Sequence, residues 1–252
     1  MKGKLLSESP HRLTARSGWT FLHWAPFVNQ LMPQKHRTIV YIDGYNWYHA
    51  IFKHRPEWKW LNIQSFFEAM RPDEDILLVK FFTAIVDEEK LDSDARERHI
   101  KYVDALKTLL KVRVILGKFQ DREVTCRANC KLKYKVPEEK KTDVNIAVEI
   151  LSDAFKGNCD SMVVVSGDSD AQPPLQWVKA NCSGIKISVY IPALIQEQAL
   201  RRLDFYRRMG VTAKFLPLTD LKSHQLPNLV KLGGGNVSMR PTVWSAPKQP
   251  QT

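Results

Sequence analysis

Acidic side chains follow two apolar segments that have the composition of buried strands. Asp43 comes directly after Thr38–Ile42 (TIVYI). Asp168 and Asp170 follow Ser161–Val165 (SMVVV) across a Ser-Gly pair. Short runs of apolar and β-branched residues predict strands buried on both faces, and the carboxyl ends of such strands form the ligand-binding edge of an α/β sheet. We therefore expect the three aspartates to face one crevice.

A fourth candidate acid, Asp143, stands at the start of a predicted helix behind Lys140 and Lys141. Like charges repel one another in a shared pocket, so a cluster of carboxylates is costly unless a cation occupies it. Hard carboxylate oxygens suit Mg²⁺ or Mn²⁺. The set of aspartates therefore predicts a site for one of these cations. Its proposed ligands are Asp43, Asp143, Asp168 and Asp170.

Each acid also has a purely structural interpretation. Asp43 could begin a plain turn, Asp143 could cap a helix, and Asp168 could form an Asx turn before the next helix. Taken one at a time, these structural roles are favoured. The occurrence of acids after two separate strands favours metal binding for the set.

The segments that would position these acids alternate between strand and helix patterns. Strands that are apolar throughout and separated by helices predict a parallel sheet covered on both faces. The charged segment Gly117–Lys141 is expected to be a long loop or ribbon. The predicted strands are 38–42, 76–84, 112–116, 161–165, 185–190 and 213–216, and the predicted helices are 46–52, 63–70, 93–110, 143–155, 175–180 and 194–209.

Three blocks that contain the acids resemble the signature blocks of the NYN domain family. They are Val40–Asn46 (VYIDGYN), Lys141–Val148 (KTDVNIAV) and Val164–Asp170 (VVSGDSD). The resemblance extends from Arg37 to Leu218. It implies a PIN-like, Rossmannoid sheet and metal-dependent ribonuclease activity.

The resemblance also implies roles for single residues. Asp43, Asp143, Asp168 and Asp170 would hold the metal, and Asn46 would hydrogen-bond into the site.

At two places the sequence does not allow the roles known from relatives to be transferred directly. Glu149 occupies a position where relatives often carry another acid, but it lies about 240° around the helix from Asp143, so both are not expected to face the metal. Relatives carry an aromatic residue and a single proline after the last aspartate. This chain has Ala171–Pro174 (AQPP) instead, which predicts a shifted helix start and a more open pocket wall.

The chain is basic, with 38 Lys and Arg against 27 Asp and Glu, and a formal net charge of +11. Such a balance favours polyanions through phosphate contacts and counterion release, but it is also common in proteins that never touch nucleic acid. RNA is the expected partner because the resemblance to NYN domains implies it. Basic residues concentrate in one helix and one loop, although either could be a solvated surface. They are Arg201, Arg202, Arg207 and Arg208 in the helix, and Lys131, Lys133, Lys135, Lys140 and Lys141 in the loop.

Aromatic side chains concentrate after Asp43 along the sequence. They could stack on bases, but packing in the core and anchoring of loops are favoured for most of them. The residues concerned are Tyr45, Trp47, Tyr48, Trp58 and Trp60.

The sequence divides into an N-terminal extension (1–36), a domain that resembles NYN and PIN-like domains (37–218) and a tail (219–252). Residues 1–31 precede Met32 and the first strand, so we expect them to lie outside the sheet and to be dispensable for folding. The glycines Gly233–Gly235 and the Pro, Lys and Gln residues that follow predict a disordered tail.

Cysteine usage and hydropathy bear on the compartment. Four cysteines in 252 residues do not form a disulfide framework. Cys126 and Cys130 have C-x-x-x-C spacing, but no third zinc ligand follows nearby, so ordinary thiols are favoured over a zinc site. No apolar run approaches the roughly 20 residues of a membrane helix, and Trp19–Val28 lacks the features of a signal peptide. We expect a cytoplasmic protein that does not bind membranes, and its oligomeric state stays open.

Three functions remain open at this point. The leading hypothesis is an endoribonuclease in which a metal-activated water attacks the phosphate, Asn46 orients the reactants, and Gly44 and Gly167 let the backbone approach the substrate. The second is a metal-dependent enzyme that acts on a small molecule, such as an aromatic hydroxylase that uses an external reductant. The third is a non-catalytic RNA-binding module. The intact acids argue against it, because negative charge repels phosphate. Neither the G-x-G-x-x-G of dinucleotide-binding folds nor a P-loop is present.

Overall fold

A computed structural model describes residues 34–85, 93–126 and 131–245. Six parallel strands form the central sheet in the order β3-β2-β1-β6-β7-β8. Two further pairs, β4 with β5 and β9 with β10, are antiparallel. The strands are β1 (His36–Asp43), β2 (Glu74–Thr83), β3 (Val112–Leu116), β4 (Lys118–Thr125), β5 (Lys133–Lys140), β6 (Ser161–Val165), β7 (Lys186–Ile191), β8 (Thr212–Phe215), β9 (Leu229–Lys231) and β10 (Val237–Met239).

The helices connect the strands. A short helix that follows β1 continues as one π-helical turn, Tyr48–Phe52, and 3-10 turns precede two of the later helices. The α-helices are α1 (Gly44–Trp47), α2 (Ile63–Met70), α3 (Ser93–Lys107), α4 (Thr142–Lys156), α5 (Gln172–Asn181) and α6 (Leu200–Arg208).

The strands of the sheet are buried on both faces, as expected where helices connect parallel strands. Every residue of β6 is buried, as are the last six residues of β1. Side chains of a strand alternate between the two faces. In β1, Val40 and Ile42 join one hydrophobic cluster, whereas Ile39 and Tyr41 join the other. The predicted parallel sheet flanked by helices is confirmed.

The start of α5 differs from the prediction. We expected a helix from residue 175, but a 3-10 turn at Ser169–Ala171 leads directly into α5 at Gln172. Pro173 and Pro174 lie in the first turn, where a missing backbone N–H leaves no helical hydrogen bond unmade. The double proline therefore begins the helix and does not delay it.

Helix α6 is also shorter than predicted. Its α-helical part begins at Leu200, after a 3-10 turn at Gln196–Ala199, and not at residue 194.

A buried lysine joins the sheet to α4. Lys80 of β2 is 2% exposed, and its ammonium lies 2.5 Å from a carboxylate oxygen of Glu149 and 2.5 Å from one of Asp153. Tyr41 of β1 donates a 2.6 Å hydrogen bond to Asp153. Glu149 also pairs with Arg113 at 3.0 Å. Two acids of α4 are thus held by the sheet, and Glu149 has cationic partners of its own, as its position around the helix suggested.

The charged segment before α4 is a ribbon. Strands β4 and β5 pair in antiparallel register from Lys118 opposite Lys140 to Thr125 opposite Lys133. Cys130 lies outside the described residues, and Cys126 is a free cysteine. That these two cysteines are ordinary thiols without bound zinc therefore stays a prediction.

The segment after residue 218 does not follow the prediction of a disordered tail. It forms a 3-10 turn at Thr219–Leu221, the β9–β10 hairpin and a last 3-10 turn at Thr242–Trp244. Trp244 is 8% exposed, and its ring centroid lies 6.2 Å from that of Trp60. The prediction was wrong because it rested on the glycines and overlooked isolated apolar residues that bury against the domain.

Replacing Trp244 with Ala is expected to lower the free energy of unfolding by about 3 kcal/mol, because removing a buried indole leaves a cavity between Trp60 and Tyr102. Urea denaturation of the full chain measures the change. The adjacent Val243 is 60% exposed, so Val243→Ala should stay within about 0.5 kcal/mol of the wild type. Equal stability of the Trp244 variant and the wild type would contradict the packing described.

The remaining expectations have mixed outcomes. Trp47 and Trp60 are core residues, whereas Tyr45 and Tyr48 are exposed. We expected residues 1–31 to lie outside the sheet and to be dispensable for folding, and these residues lie outside the described part of the chain. Within that part, none of the helices is both long enough and apolar enough to cross a bilayer.

Candidate active site

The buried carboxylate of Asp43 lies at the end of β1. One of its oxygens accepts a 2.9 Å hydrogen bond from the backbone N–H of Asn46, which makes Asp43 the N-cap of α1. The other accepts a 2.9 Å hydrogen bond from the hydroxyl of Ser166. Burial raises the pKa of Asp43 to about 6, against the effect of these two donors, and the charges of Asp143 and Asp168 add to the increase. An ionised Asp43 is therefore costly without a nearby cation.

The loop after β6 is fastened to the loop after β1. Strands β1 and β6 are neighbours, with Ile42 opposite Val165, so Ser166 follows β6 beside Asp43. The Ser166 hydroxyl also accepts a 3.0 Å hydrogen bond from the N–H of Asp168. The N–H of Gly167 donates to the side-chain oxygen of Asn46 at 2.9 Å. These bonds fix the orientation of both Asp43 and Asn46.

Asp143 approaches from the first turn of α4. Lys141, two residues before Asp143, has a left-handed backbone (φ 73°), and this conformation turns the chain from the ribbon into the helix. Burial raises the pKa of Asp143, and the charges of Asp168 and Asp170 raise it further. Asp143 therefore lies within the electrostatic field of both acids from the β6 loop.

The four aspartates interact electrostatically, Asp43 with Asp143 and Asp168, and Asp143 with Asp168 and Asp170. We call this cluster of acids the acidic pocket. Asp143 and Asp170 are exposed, and their carboxylates make no hydrogen bond or ion pair with any described residue. Asp168 uses one oxygen to accept the N–H of Asp170 at 3.1 Å. Unpartnered hard oxygens of this kind fit a divalent cation chemically. As the side chains stand, however, no three His, Cys, Asp or Glu residues in the described ranges are close enough to enclose an ion.

Helix α6 covers one side of the acidic pocket. The hydroxyl of Tyr206 donates to the carbonyl oxygen of Asp168. Burial raises the pKa of Tyr206, as do the charges of Asp168, Asp43 and Asp170. Arg202, one turn earlier, passes over Gly167. Ser166 and Tyr206 were not among the predicted site residues, and Arg202 was predicted only as one of the basic residues of its helix. A hydroxyl next to Gly167 in the third signature block was the available signal for Ser166.

The two glycines of the site lie close to other parts of the protein, and their approach to a substrate stays a prediction. A β-carbon at Gly44 would lie 2.6 Å from the carbonyl oxygen of Phe82, so this glycine allows α1 to pack against β2. A β-carbon at Gly167 would instead lie 3.2 Å from Arg202.

These blocks belong to a known domain. The sequence pattern of the NYN domain matches residues 37–206, which span β1 to most of α6. The chain belongs to the NYN domain family. The predicted family is thereby confirmed, and so is a nuclease-like fold.

Two individual proteins resemble this NYN domain protein. One is 6-hydroxy-3-succinoylpyridine 3-monooxygenase of Pseudomonas putida, which is 25% identical over 82% of this chain and 75% of its own length. The other is a solved structure of a protein of unknown function from Vibrio parahaemolyticus, with 18% identity and a TM-score of 0.45 over 77% of this chain and 99% of that one. The family and the first relative both indicate an enzyme, and they differ in the reaction they suggest.

Proposed function

We propose that the NYN domain binds Mg²⁺ or Mn²⁺ in the acidic pocket and hydrolyses phosphodiester bonds of RNA. The observation that carries this proposal is the buried, high-pKa Asp43 beside Asp143 and Asp168, whose charges repel its own. When bound, the cation would acidify a coordinated water and offset charge on the phosphate oxygens. The residues that would hold it are Asp43, Asp143, Asp168 and Asp170.

The chain's own residues would orient the reactants. Ser166 holds the carboxylate of Asp43 in one rotamer through its 2.9 Å hydrogen bond. The side-chain oxygen of Asn46 is occupied by the N–H of Gly167, so its NH₂ group is directed elsewhere and has no acceptor among the described residues. That NH₂ group can donate to a phosphate oxygen or to the attacking water.

The surface beside the pocket suits a single strand of RNA. Tyr45 and Tyr48 follow Asp43 on α1 and the π-helical turn and are 49% and 41% exposed. The ring of Tyr45 lies 4.3 Å from that of His49, and the ammonium of Lys59 lies 4.9 Å above the ring of Tyr48. Exposed aromatic faces with a nearby cation are what bases stack on in proteins that bind single strands.

The proposal is tested by incubating the purified protein with a labelled RNA pool, in Mn²⁺ and in EDTA. Asp168→Asn is expected to reduce cleavage and Mn²⁺ affinity by at least the roughly 10- to 100-fold typical of changes around metal sites, because an amide oxygen is a weaker ligand for a hard cation. Its stability without metal should rise or stay level, since the new amide oxygen can still accept the N–H of Asp170.

The same variant controls for contamination, because it is purified in the same way and keeps the fold. Cleavage that survives in Asp168→Asn, together with undiminished Mn²⁺ binding by calorimetry, would refute the role of this acid. RNA binding without any metal-dependent cleavage would instead support a binding module.

A second candidate function is hydroxylation of an aromatic ring, and the similarity to the Pseudomonas putida monooxygenase favours it. Such a reaction places one oxygen atom of O₂ in the ring and reduces the other to water with two electrons and two protons from an external reductant. Oxygen uptake with 6-hydroxy-3-succinoylpyridine and a nicotinamide reductant tests it. Uptake that depends on the substrate, in a protein that leaves RNA intact, would replace the first proposal with this one.

A further inference from the structure

An arginine of α6 lies at the rim of the acidic pocket. A β-carbon at Gly167 would lie 3.2 Å from Cδ of Arg202, 3.4 Å from its Nη1 and 3.5 Å from the side-chain oxygen of Asn46. The guanidinium of Arg202 therefore extends over the peptide that links Ser166 to Asp168. A β-carbon at position 167 would require this side chain to shift by a few tenths of an ångström.

The position of Arg202 is set by its helix. Leu203 and Tyr206 of α6 are buried, and the Tyr206 hydroxyl is bonded to the backbone of Asp168. These contacts hold α6 against the loop that contains Gly167.

The charge of Arg202 is not used within the described structure. Other arginines are paired with carboxylates, such as Arg37 with Asp160 at 2.9 Å and Arg71 with Glu74. Arg202 is exposed and has no ion pair with any described residue, although four aspartates lie nearby. A guanidinium has five donors in a planar fork that matches the two free oxygens of a phosphodiester.

We propose that Arg202 binds a phosphate of the RNA strand at the rim of the acidic pocket. The inference rests on the proposed binding of RNA. Carboxylates alone repel the phosphate backbone, and a fixed guanidinium beside them offsets this repulsion at the point where the strand enters. Arg202 thereby directs one phosphate toward Asn46, whose NH₂ group has no other acceptor in the described ranges.

The experiment measures binding without cleavage. A fluorescent single-stranded RNA is titrated with full-length protein in Ca²⁺, at roughly 50 to 200 mM salt, and its anisotropy is recorded. Arg202→Met is expected to weaken binding by about 10-fold and to reduce the slope of log K against log salt by about 0.7, the contribution of one phosphate contact to a single strand. Arg202→Lys should restore the salt slope but only part of the affinity, because a lysine lacks the fork.

Arg201→Met is the matched control, because Arg201 is adjacent, exposed and equally charged. Loss in the Arg202 variant alone supports the contact. Equal losses in both variants, or none in either, overturn it, and so does a wild type that does not bind RNA. RNA binding that depends on Arg202 in a protein that never cleaves would leave this contact in place and refute the proposed hydrolysis.

Discussion

Replacing Asp43 with Asn is expected to reduce metal-dependent activity strongly while making the metal-free protein more stable at neutral pH. The native pKa of Asp43 is about 6, above the roughly 3.9 of an unfolded chain. The raised pKa favours folding at pH values below about 4, and this contribution is lost as the pH rises through about 6. Above that pH the ionised group costs about 2 to 3 kcal/mol.

The amide of the Asp43→Asn variant has no charge to desolvate, so the cost disappears and the pH dependence flattens. Its side-chain oxygen can still accept the N–H of Asn46, and the hydroxyl of Ser166 can rotate to accept from its NH₂ group. Activity should fall by at least about 100-fold, because the substituted residue is a metal ligand in the proposed function.

The stability measurement is thermal melting in EDTA between about pH 4 and pH 8, a range that brackets the unfolded and native pKa values. The activity measurement is RNA cleavage in Mn²⁺. Asp204 of α6 is an exposed acid, so Asp204→Asn is the control and should change neither. A stability difference between the Asp43→Asn variant and the wild type that does not grow between about pH 4 and pH 7 would contradict the buried state of Asp43. Full activity in the Asp43→Asn variant would remove Asp43 from the proposed mechanism.

Replacing Lys80 with Met is expected to lower the free energy of unfolding by about 3 to 5 kcal/mol at neutral pH. The change leaves the buried carboxylate of Asp153 without its cation, and an uncompensated buried charge is strongly destabilising. Burial alone would raise the pKa of Asp153, but hydrogen bonds from Lys80, Tyr41 and Asn158 outweigh it and hold the pKa below its ordinary value.

A lowered pKa stabilises the fold above the unfolded value of about 3.9, and this stabilisation is lost as the pH falls through the native pKa. Lys80→Met should therefore lose most stability at neutral pH and little in strong acid. Urea denaturation at about pH 7 and about pH 3 measures the difference. The exposed Lys107, paired with Asp104 at 3.0 Å, is the control, and Lys107→Met should cost no more than about 1 kcal/mol. Equal losses of unfolding free energy in the Lys80 and Lys107 variants would show that the buried ion pair stabilises the protein no more than the exposed one does.

The sequence predicted the central sheet well because its strands are apolar without interruption. Strands β3 (Val112–Leu116) and β6 (Ser161–Val165) have the predicted bounds. The acids that follow β1 and β6 could be predicted once the ends of these two strands were known. Lys80 was hidden inside an apolar run, since nothing local indicates that its two carboxylate partners come 69 and 73 positions later.

Features that depend on contacts distant in sequence were missed. Trp244 stands among polar and glycine-rich residues, and only its contact with Trp60 explains why that segment is ordered. The helical pattern of α6 indicated a basic face, but it could not show that Arg202 would extend over Gly167. For the acids, sequence indicated that they lie near one another, as their electrostatic coupling shows, whereas a metal site formed by them stays a prediction.

The hydrogen bond between Ser166 and Asp43 joins residues 123 positions apart. During synthesis, Asp43 leaves the ribosome long before β6 exists to place Ser166 beside it. Helix α6 and the segment that packs Trp244 against Trp60 emerge later still. A nascent or truncated chain therefore carries the separate acids without the contacts that bring them together, so whatever chemistry they perform together is withheld until β6 and α6 have been made.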